Sequence, residues 1–237
     1  MWENRTSSRG EKITMEIIPG INETEWAEIE KKIELVLPFA KTIHIDLEDG
    51  IFVERKTFLD PEPFKKYTDR ATFELHMMVD NPIQYLKPFA DAGFKRILGH
   101  VEKMPDQTEF VALAQTLGAV GLALDGPTDL SAITVPFESL DSVLIYTSDK
   151  VGPSGPPLLD GRLEKVKHVV EKTNDVSETY TDGPFSIEVD GGINDKTILK
   201  AKEAGATRFV STSFLFSSPN PHEAFKKLEK LVNKETP

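Results

Sequence analysis

The sequence predicts a single-domain α/β protein folded as a (β/α)8 barrel of the TIM type. Eight strand-like segments alternate with helix-like segments along the 237 residues, which is typical of a parallel sheet covered by helices. Three of the strands also carry a polar face close to their ends, and in such barrels the site lies at the carboxyl ends of the strands. An open, doubly wound sheet is the competing topology. The barrel accounts better for three polar faces at strand ends.

The predicted strands are short runs of apolar or alternating residues bounded by Gly, Pro, Asn or Asp. They lie at 15–19, 41–47, 71–79, 96–101, 120–124, 142–146, 185–189 and 208–211. Between them, apolar residues recur at helical spacing. The predicted helical segments lie at 26–36, 64–67, 83–90, 106–117, 129–133, 163–172, 195–204 and 222–233.

Helix boundaries are predicted from capping residues. Asn22 with Glu25 resembles an N-cap pair, and Asn81 before Pro82 fits an N-cap with proline at the first helical position. The glycines expected to end helices are Gly93, Gly118 and Gly205.

Three segments lack a regular pattern. Residues 1–14 are expected to form a mobile tail, so that the barrel domain comprises 15–237. The loop at 147–157 is rich in Gly and Pro and would serve as a phosphate cradle or a lid. Residues 173–183 form a polar connection.

The composition restricts the classes of partner. A net charge of −11 and a pI near 5.0 argue against nucleic acid or an anionic membrane, because the summed field repels phosphates. A small anionic substrate is compatible where local amides and a bound cation override that field. Cysteine is absent, which excludes disulfides and thiolate ligands. We find no signal peptide and no apolar run of ~18 residues, and expect a cytoplasmic protein. The sequence leaves the oligomeric state open and is compatible with a homo-oligomer.

Polar residues on three strands form a candidate metal site. His44 and Asp46 share a face of the second strand, His76 lies on the third, and Asp190 ends the seventh. Strands covered by helices are normally apolar, so these groups indicate a site. Two imidazoles and two carboxylates can hold one divalent metal ion, and Zn, Fe, Mn and Co all accept this set. Each residue alone also fits a core histidine or a helix-capping carboxylate; their joint placement favours the site.

Four segments together resemble the ribulose-phosphate 3-epimerase family. They are His44-Ile45-Asp46-x-x-Asp49-Gly50-x-Phe52-Val53, His76-Met77-Met78-Val79-x-Asn81-Pro82, His100-Val101-Glu102 and Glu188-Val189-Asp190-Gly191-Gly192-Ile193-Asn194. Their order and approximate spacing are preserved over residues 17–218.

The resemblance implies a metal-dependent isomerase of carbohydrate metabolism that interconverts D-ribulose 5-phosphate and D-xylulose 5-phosphate in the pentose phosphate pathway. It implies that His44, Asp46, His76 and Asp190 hold the metal and that Asp46 and Asp190 are the catalytic acid/base pair. Epimerisation next to a ketone removes a proton from one face and returns one to the other, so two carboxylates suit the reaction. A cation would stabilise the enediolate intermediate.

The substrate's phosphate is expected where strands seven and eight end and a helix N-terminus supplies free amides. The residues expected there are Gly191, Gly192, Ser211, Thr212 and Ser213. In isolation these residues fit tight turns with an N-cap serine equally well. Met78 is expected to form part of an apolar ceiling over the enediolate.

The chain departs from the family pattern at several substrate-facing positions. Glu48 and Tyr146 stand where methionines are expected, and Glu23 stands near the position of an expected serine. The loop with Gly155 has fewer glycines than expected, and Thr212 replaces a glycine. An inward Glu48 would disfavour the enediolate unless it binds the metal or pairs with Lys or Arg. If it tips outward past the strand end, it meets solvent.

Three alternatives stay open. The substrate is another ketose phosphate, such as a ketohexose 6-phosphate, or the chain is a sugar-phosphate-binding barrel without turnover. The decarboxylase and aldolase branch of phosphate-binding barrels uses an Asp-x-Lys-x-x-Asp run. The corresponding run here, Asp46-Leu47-Glu48-Asp49, contains no lysine, which disfavours that class.

Overall fold

In the computed structural model, which describes residues 14–152, 155–173 and 184–234, eight parallel strands form a closed barrel in sequence order. The strands are β1 (Glu16–Ile21), β2 (Thr42–Glu48), β3 (Thr72–Met78), β4 (Arg96–His100), β5 (Ala119–Leu124), β6 (Ser142–Tyr146), β7 (Ser186–Asp190) and β8 (Arg208–Ser211). Pairing of β1 with β8 closes the barrel, which confirms the predicted fold and excludes the open sheet. Outside the described residues lie 1–13 of the predicted tail (1–14), 153–154 of the Gly/Pro loop, 174–183 of the predicted connection (173–183) and 235–237.

Helices cover the outside of the barrel. They are α1 (Trp26–Val36), α2 (Ile83–Asp91), α3 (Gln107–Gln115), α4 (Leu163–Thr173), α5 (Ile198–Ala204), α6 (Ser213–Phe216) and α7 (Pro221–Val232). The predicted helices after β2 and β5 are 3-10 turns instead, and they include Glu62–Lys66 and Leu130–Ala132. Among the described residues, none of the helices combines the length and the apolar character needed to cross a membrane.

The main hydrophobic core lies between the strands and the helices. Alternate residues of β2, Ile43, Ile45 and Leu47, are at most 1% exposed and belong to this core. The residues between them are buried as well, so they face the barrel interior. The predicted two-residue period of β2 therefore separates a helix-packed face from an interior face.

The barrel interior is polar on one side and apolar on the other. Leu98, Ala123 and Leu144 form an apolar group on β4, β5 and β6. On the other side, Arg208 donates to Glu188 at 2.8 Å and to Glu74 at 2.6 Å. The interior charges are thus paired rather than isolated, as burial requires.

Arg208 also connects the two strands that close the barrel. Its Nη1 donates to Glu16 of β1, while Thr42 Oγ1 donates to the second Glu16 oxygen at 2.6 Å. Burial opposes the charged form of Arg208, but Glu74, Glu188 and Glu16 raise its pKa above the usual value.

Two of the predicted N-caps are wrong. Helix α1 starts at Trp26 after Glu25, with no side-chain cap, and the Asn22 side chain turns into the barrel instead. Asn81 has a left-handed φ of 48°, and Pro82 occupies the N-cap position of α2. Two helix-ending glycines are confirmed in the left-handed region, Gly93 with a φ of 99° and Gly205 with a φ of 113°.

Candidate active site

The four predicted metal ligands come together at the carboxyl end of the barrel. Asp46 is paired with His76 across β2 and β3, and Asp190 ends β7. His44 lies two residues before Asp46 and shares its interior face. Each residue offers a ligand atom within 4.8 Å of those of the other three, and all four side chains are buried. We call these four residues the His/Asp cluster.

His44 presents a buried ring nitrogen to the His/Asp cluster. Its Nδ1 lies 2.8 Å from Glu74 Oε1, and Nδ1–H donates this bond because a carboxylate only accepts. Its Nε2 is buried without a hydrogen-bond partner, 3.3 Å from Asp46 Oδ1. Burial lowers the pKa of His44, but the surrounding carboxylates of Asp46, Glu188 and Glu74 raise it well above the usual value. The position attracts positive charge, so the donor set fits a divalent cation bound in place of a proton.

Asp46 and Asp190 differ in their tendency to hold a proton. Burial raises the pKa of Asp190 to about 6, and the charge of Asp46 adds to the shift. Burial acts on Asp46 too, but His44 and His76 hold its pKa well below the usual range. His76 Nδ1 lies 2.9 Å from Asp46 Oδ1 and 3.7 Å from Asp190 Oδ2. One carboxylate is thus held ionised while the other takes up a proton more readily.

Glu48 points inward, so the outward orientation is excluded. Its side chain is 0% exposed, and its Oε1 accepts a hydrogen bond of 2.9 Å from Asn22 Nδ2. Its Oε2 has no hydrogen-bond partner and lies 3.8 Å from Arg55 Nη1. Burial and the charge of Asp46 raise the pKa of Glu48 to about 7. The sequence left open whether an inward Glu48 pairs with Lys or Arg. Among the described residues, its only contact of this kind is the long one with Arg55.

A cavity opens over the His/Asp cluster and collects most of the predicted substrate residues. It is lined by Asn22, Asp46, Met78, Tyr146, Gly152, Gly155, Pro156, Asp190, Gly191, Gly192, Ile193, Val210, Thr212 and Ser213. Ser211 does not line it, because its Oγ donates to the carbonyl of Ile193 at 2.9 Å inside the protein. The assignment of Ser211 to phosphate binding stays a prediction.

The two glycines after β7 are required by their backbone surroundings. Gly191 and Gly192 have φ values of 107° and 74°, in the left-handed region. A Cβ on Gly192 would lie 2.1 Å from the backbone nitrogen of Leu158, in the β6–α4 loop (residues 147–162). The glycine backbone directly after β7 therefore packs against this loop at the cavity.

Thr212 fills space that a glycine on β1 provides. A Cβ on Gly20 would lie 2.4 Å from Thr212 Oγ1 and 2.8 Å from Val210 Cγ1. The Thr212 hydroxyl, which departs from the family pattern, is thus accommodated because Gly20 has no side chain on the neighbouring strand β1.

The apolar side of the cavity is built from the β6–α4 loop as well as from strands. Met78, Tyr146 and Val151 form a buried apolar cluster, against which Phe52 and Val53 pack. Tyr146 therefore takes part in the ceiling where a methionine was expected, and Val151 extends it.

Several residues of this region were not predicted from the sequence. Asn22 lines the cavity although it was predicted to cap a helix. Its position directly after β1 was an available signal, because residues that follow barrel strands face the site. Val151 and Gly152 lie in the loop at 147–157, which was predicted to be a phosphate cradle or a lid without a role for either residue. Arg55 carried no signal, since its placement depends on a contact with Glu48.

Comparison with known proteins identifies a family. Residues 16–216 match the ribulose-phosphate 3 epimerase family. The chain is 30% identical over 229 residues to the ribulose-phosphate 3-epimerase of Schizosaccharomyces pombe, with 94% of this chain and 96% of that protein covered. It is also 30% identical over 192 residues to the enzyme of the same name from Bacillus subtilis, with 80% and 86% covered.

Solved structures share the fold at low sequence identity. KGPDC from Streptococcus mutans, in complex with D-R5P, superimposes with a TM-score of 0.69 at 12% identity, covering 92% of this chain and 97% of that one. A 3-hexulose-6-phosphate synthase from Salmonella typhimurium gives a TM-score of 0.63 at 14% identity, with 92% and 98% covered. The match over residues 16–216 and the near-complete alignment with curated relatives place the chain in the ribulose-phosphate 3-epimerase family, a family of isomerase enzymes.

Proposed function

We propose that the protein interconverts D-ribulose 5-phosphate and D-xylulose 5-phosphate by epimerisation at C3. The observation that carries this proposal is the placement of Asp46 and Asp190, which lie toward the carboxyl ends of two different strands, on the same cavity. Epimerisation needs one base and one acid at the same carbon. Family membership supports the same reaction.

The two carboxyl groups perform complementary steps. The ionised carboxylate removes the proton from C3, and the electrons of the C–H bond move into the C2 carbonyl to give an enediolate. The protonated carboxyl group then delivers its proton to the opposite face of C3, and the carbonyl is restored. In the reverse reaction the two residues exchange roles, so each must ionise and protonate within one turnover.

The His/Asp cluster would hold one divalent metal ion. His44 Nε2, His76 Nδ1 and one oxygen each from Asp46 and Asp190 are the donors, and Zn, Fe, Mn and Co all accept them. When bound, the ion would supply Lewis-acid stabilisation of the charge that develops on the substrate oxygens. The unpartnered Nε2 of His44 supports this assignment.

The phosphate would lie where β7 and β8 end at the cavity. Gly191, Gly192, Thr212 and Ser213 line this part at the ends of β7 and β8, and they offer backbone amides and two hydroxyl groups. Met78 and Tyr146 would cover the reacting carbons and exclude water.

One observation favours a second candidate substrate. Asn22 and Glu48 create a polar corner next to Asp46, and the Asn22 Oδ1 and Glu48 Oε2 atoms are buried without partners. Of these two residues Asn22 lines the cavity, and its spare acceptor would suit a substrate with a further hydroxyl group. A ketohexose 6-phosphate, epimerised at C3, is therefore the alternative.

Proton exchange at C3 in deuterated water tests the reaction directly. We expect the parent protein to incorporate deuterium into ribulose 5-phosphate, and both Asp46→Asn and Asp190→Asn to lose exchange by at least about 1,000-fold. Asp69→Asn, at an exposed position, is the matched control and should behave as the parent. Exchange with a ketohexose 6-phosphate alone would favour the second candidate. Metal binding without exchange on any ketose phosphate would contradict both and favour a binding protein.

A further inference from the structure

We infer that Glu102, acting through His100, is a positioning residue that keeps the hydrogen of His76 on Nε2, so that a metal can replace the hydrogen on Nδ1. The inference rests on the proposed metal site and goes beyond it by assigning roles to two residues outside the His/Asp cluster. Neither residue lines the cavity.

Three side chains form a continuous hydrogen-bonded row. His76 Nε2 lies 2.8 Å from His100 Nε2, and His100 Nδ1 lies 2.9 Å from Glu102 Oε2. The two imidazole rings are stacked, with centroids 4.9 Å apart and an interplanar angle of 28°. Both histidines are 0% exposed, so water does not compete for these contacts.

The direction of the bonds follows from the chemistry of the end group. A carboxylate has no proton to donate, so Nδ1 of His100 carries the hydrogen of the bond to Glu102. The neutral His100 ring then has a lone pair on Nε2. Two ring nitrogens 2.8 Å apart share a single hydrogen, which must therefore come from Nε2 of His76. Nδ1 of His76 lies 2.9 Å from Asp46 Oδ1, which also only accepts, so a hydrogen lies between these two atoms in the metal-free protein and the metal would take its place.

Glu102 is itself held in place. Its second oxygen, Oε1, accepts a hydrogen bond of 2.7 Å from the backbone nitrogen of Asp125, at the end of β5. Both carboxylate oxygens are therefore engaged by donors, and neither is free to turn toward another partner.

The two histidines of the cluster are oriented by different means. Glu74 accepts directly from Nδ1 of His44, which leaves Nε2 of that ring bare. The Nε2 atom of His76 is connected to the carboxylate of Glu102 only through His100. Carboxylates that accept from the second nitrogen of a metal-binding histidine fix its tautomer and raise its affinity for the ion.

Replacing Glu102 by Gln should reverse the direction of the hydrogen bonds along this row. The backbone N–H of Asp125 would claim the amide oxygen, so the amide NH2 would face His100 Nδ1 and donate to it. His100 would then carry its hydrogen on Nε2, and His76 would have to keep its own on Nδ1, next to Asp46. A metal at Nδ1 would displace that hydrogen to Nε2, where it would meet the hydrogen of His100, so metal binding is opposed.

The test measures cobalt(II) affinity of the metal-stripped protein from the visible spectrum of the bound ion. We expect Glu102→Gln to weaken Co²⁺ binding by about 10- to 100-fold. Glu102→Asp keeps the carboxylate and should recover most of the affinity, and Glu138→Gln, at an exposed position, should match the parent. Long-range ¹H–¹⁵N spectra should show His100 protonated on Nδ1 in the metal-free parent and on Nε2 in Glu102→Gln.

The outcomes separate the inference from the proposed function. Parent-like Co²⁺ affinity in Glu102→Gln overturns the positioning role alone, while the metal site stands. A parent protein that binds no Co²⁺ contradicts the proposed metal site and the inference with it. If Glu102→Gln fails to fold, the parent spectrum still decides, because a His100 with its hydrogen on Nε2 and none on Nδ1 overturns the inference.

Discussion

The side-chain amide of Asn22 donates to Glu48 Oε1 at 2.9 Å and to the carbonyl of Gly152 at 3.1 Å. Both partners are acceptors, so the amide nitrogen is identified by its contacts and Oδ1 is left facing the other way. One residue after β1 thereby joins the end of β2 to the β6–α4 loop. It ties a buried carboxylate to the segment that supplies the cavity ceiling.

Glu48 should make the stability of the metal-stripped protein depend on pH. Burial raises its pKa from the usual 4.5 to about 7, so the folded state binds the proton more tightly than the unfolded state does. Stability is therefore highest below pH 4.5 as far as this group is concerned, and it falls as the pH rises to about 7. The shift corresponds to roughly 3 kcal/mol.

Urea unfolding at pH 5 and pH 8 tests this expectation. Glu48→Gln should lose less stability than the parent between the two pH values. Glu54→Gln, at an exposed position, should follow the parent. If Glu48→Gln and the parent lose the same stability between the two pH values, burial does not raise the pKa of Glu48.

Gly192→Ala should destabilise the protein strongly. Its φ of 74° is unfavourable for alanine, and the added Cβ would lie 2.1 Å from the Leu158 nitrogen. Neither backbone segment can move without disrupting the packing of the β6–α4 loop. We therefore expect the free energy of unfolding to fall by about 3 kcal/mol or more. Gly161→Ala is the matched control, because a Cβ there meets nothing within 4 Å. Equal thermal midpoints for the two variants would contradict the close approach.

Gly20 and Thr212 should be energetically coupled. Gly20→Ala places a Cβ 2.4 Å from Thr212 Oγ1, and Thr212→Ala removes that oxygen. The double variant should therefore be more stable than the sum of the single effects by about 1 kcal/mol. Relief is partial, because Val210 Cγ1 also lies 2.8 Å from the new Cβ. Additive effects in a double-mutant cycle by chemical denaturation would refute the contact.

Arg208→Met should be among the most destabilising single changes inside the barrel. It removes the donor to Glu74 and Glu188 and leaves their carboxylates buried with fewer partners. Breaking a buried ion pair from one side costs about 3–5 kcal/mol. Lys200→Met, which breaks an exposed pair with Asp160, should cost less than about 1 kcal/mol.

The pH dependence of the Arg208 effect has a defined sign. Burial raises the pKa of Glu74, but Arg208 and His44 together hold it well below the usual 4.5. The resulting stabilisation is present above pH 4.5 and is lost as the pH falls. The difference in unfolding free energy between the parent and Arg208→Met should therefore become smaller as the pH falls. A difference that widened toward low pH would contradict this network.

The barrel and the His/Asp cluster could be predicted from the sequence because both follow from local patterns. The period of two in β2 placed His44 and Asp46 on one face, and the regular alternation of strands and helices placed His76 and Asp190 at the same end of the barrel.

The failures concern residues whose position depends on distant parts of the chain. The sequence around Asn22 reads as a helix cap, but the buried acceptors Glu48 and Gly152 hold its side chain in the barrel. Glu48 could not be oriented from its own strand end, because solvent and the interior were both within reach. Val151 entered the ceiling through contacts of a loop that has no periodicity.

The position of Arg208 has a consequence for how the chain folds during synthesis. Glu16 is on the first strand, and its guanidinium partner is on the eighth, 192 residues later. While the chain emerges from the ribosome, a growing half-barrel would carry this carboxylate without Arg208, and water would have to keep access to it. Expulsion of water from the barrel interior, and with it cooperative folding, therefore has to await the last strand.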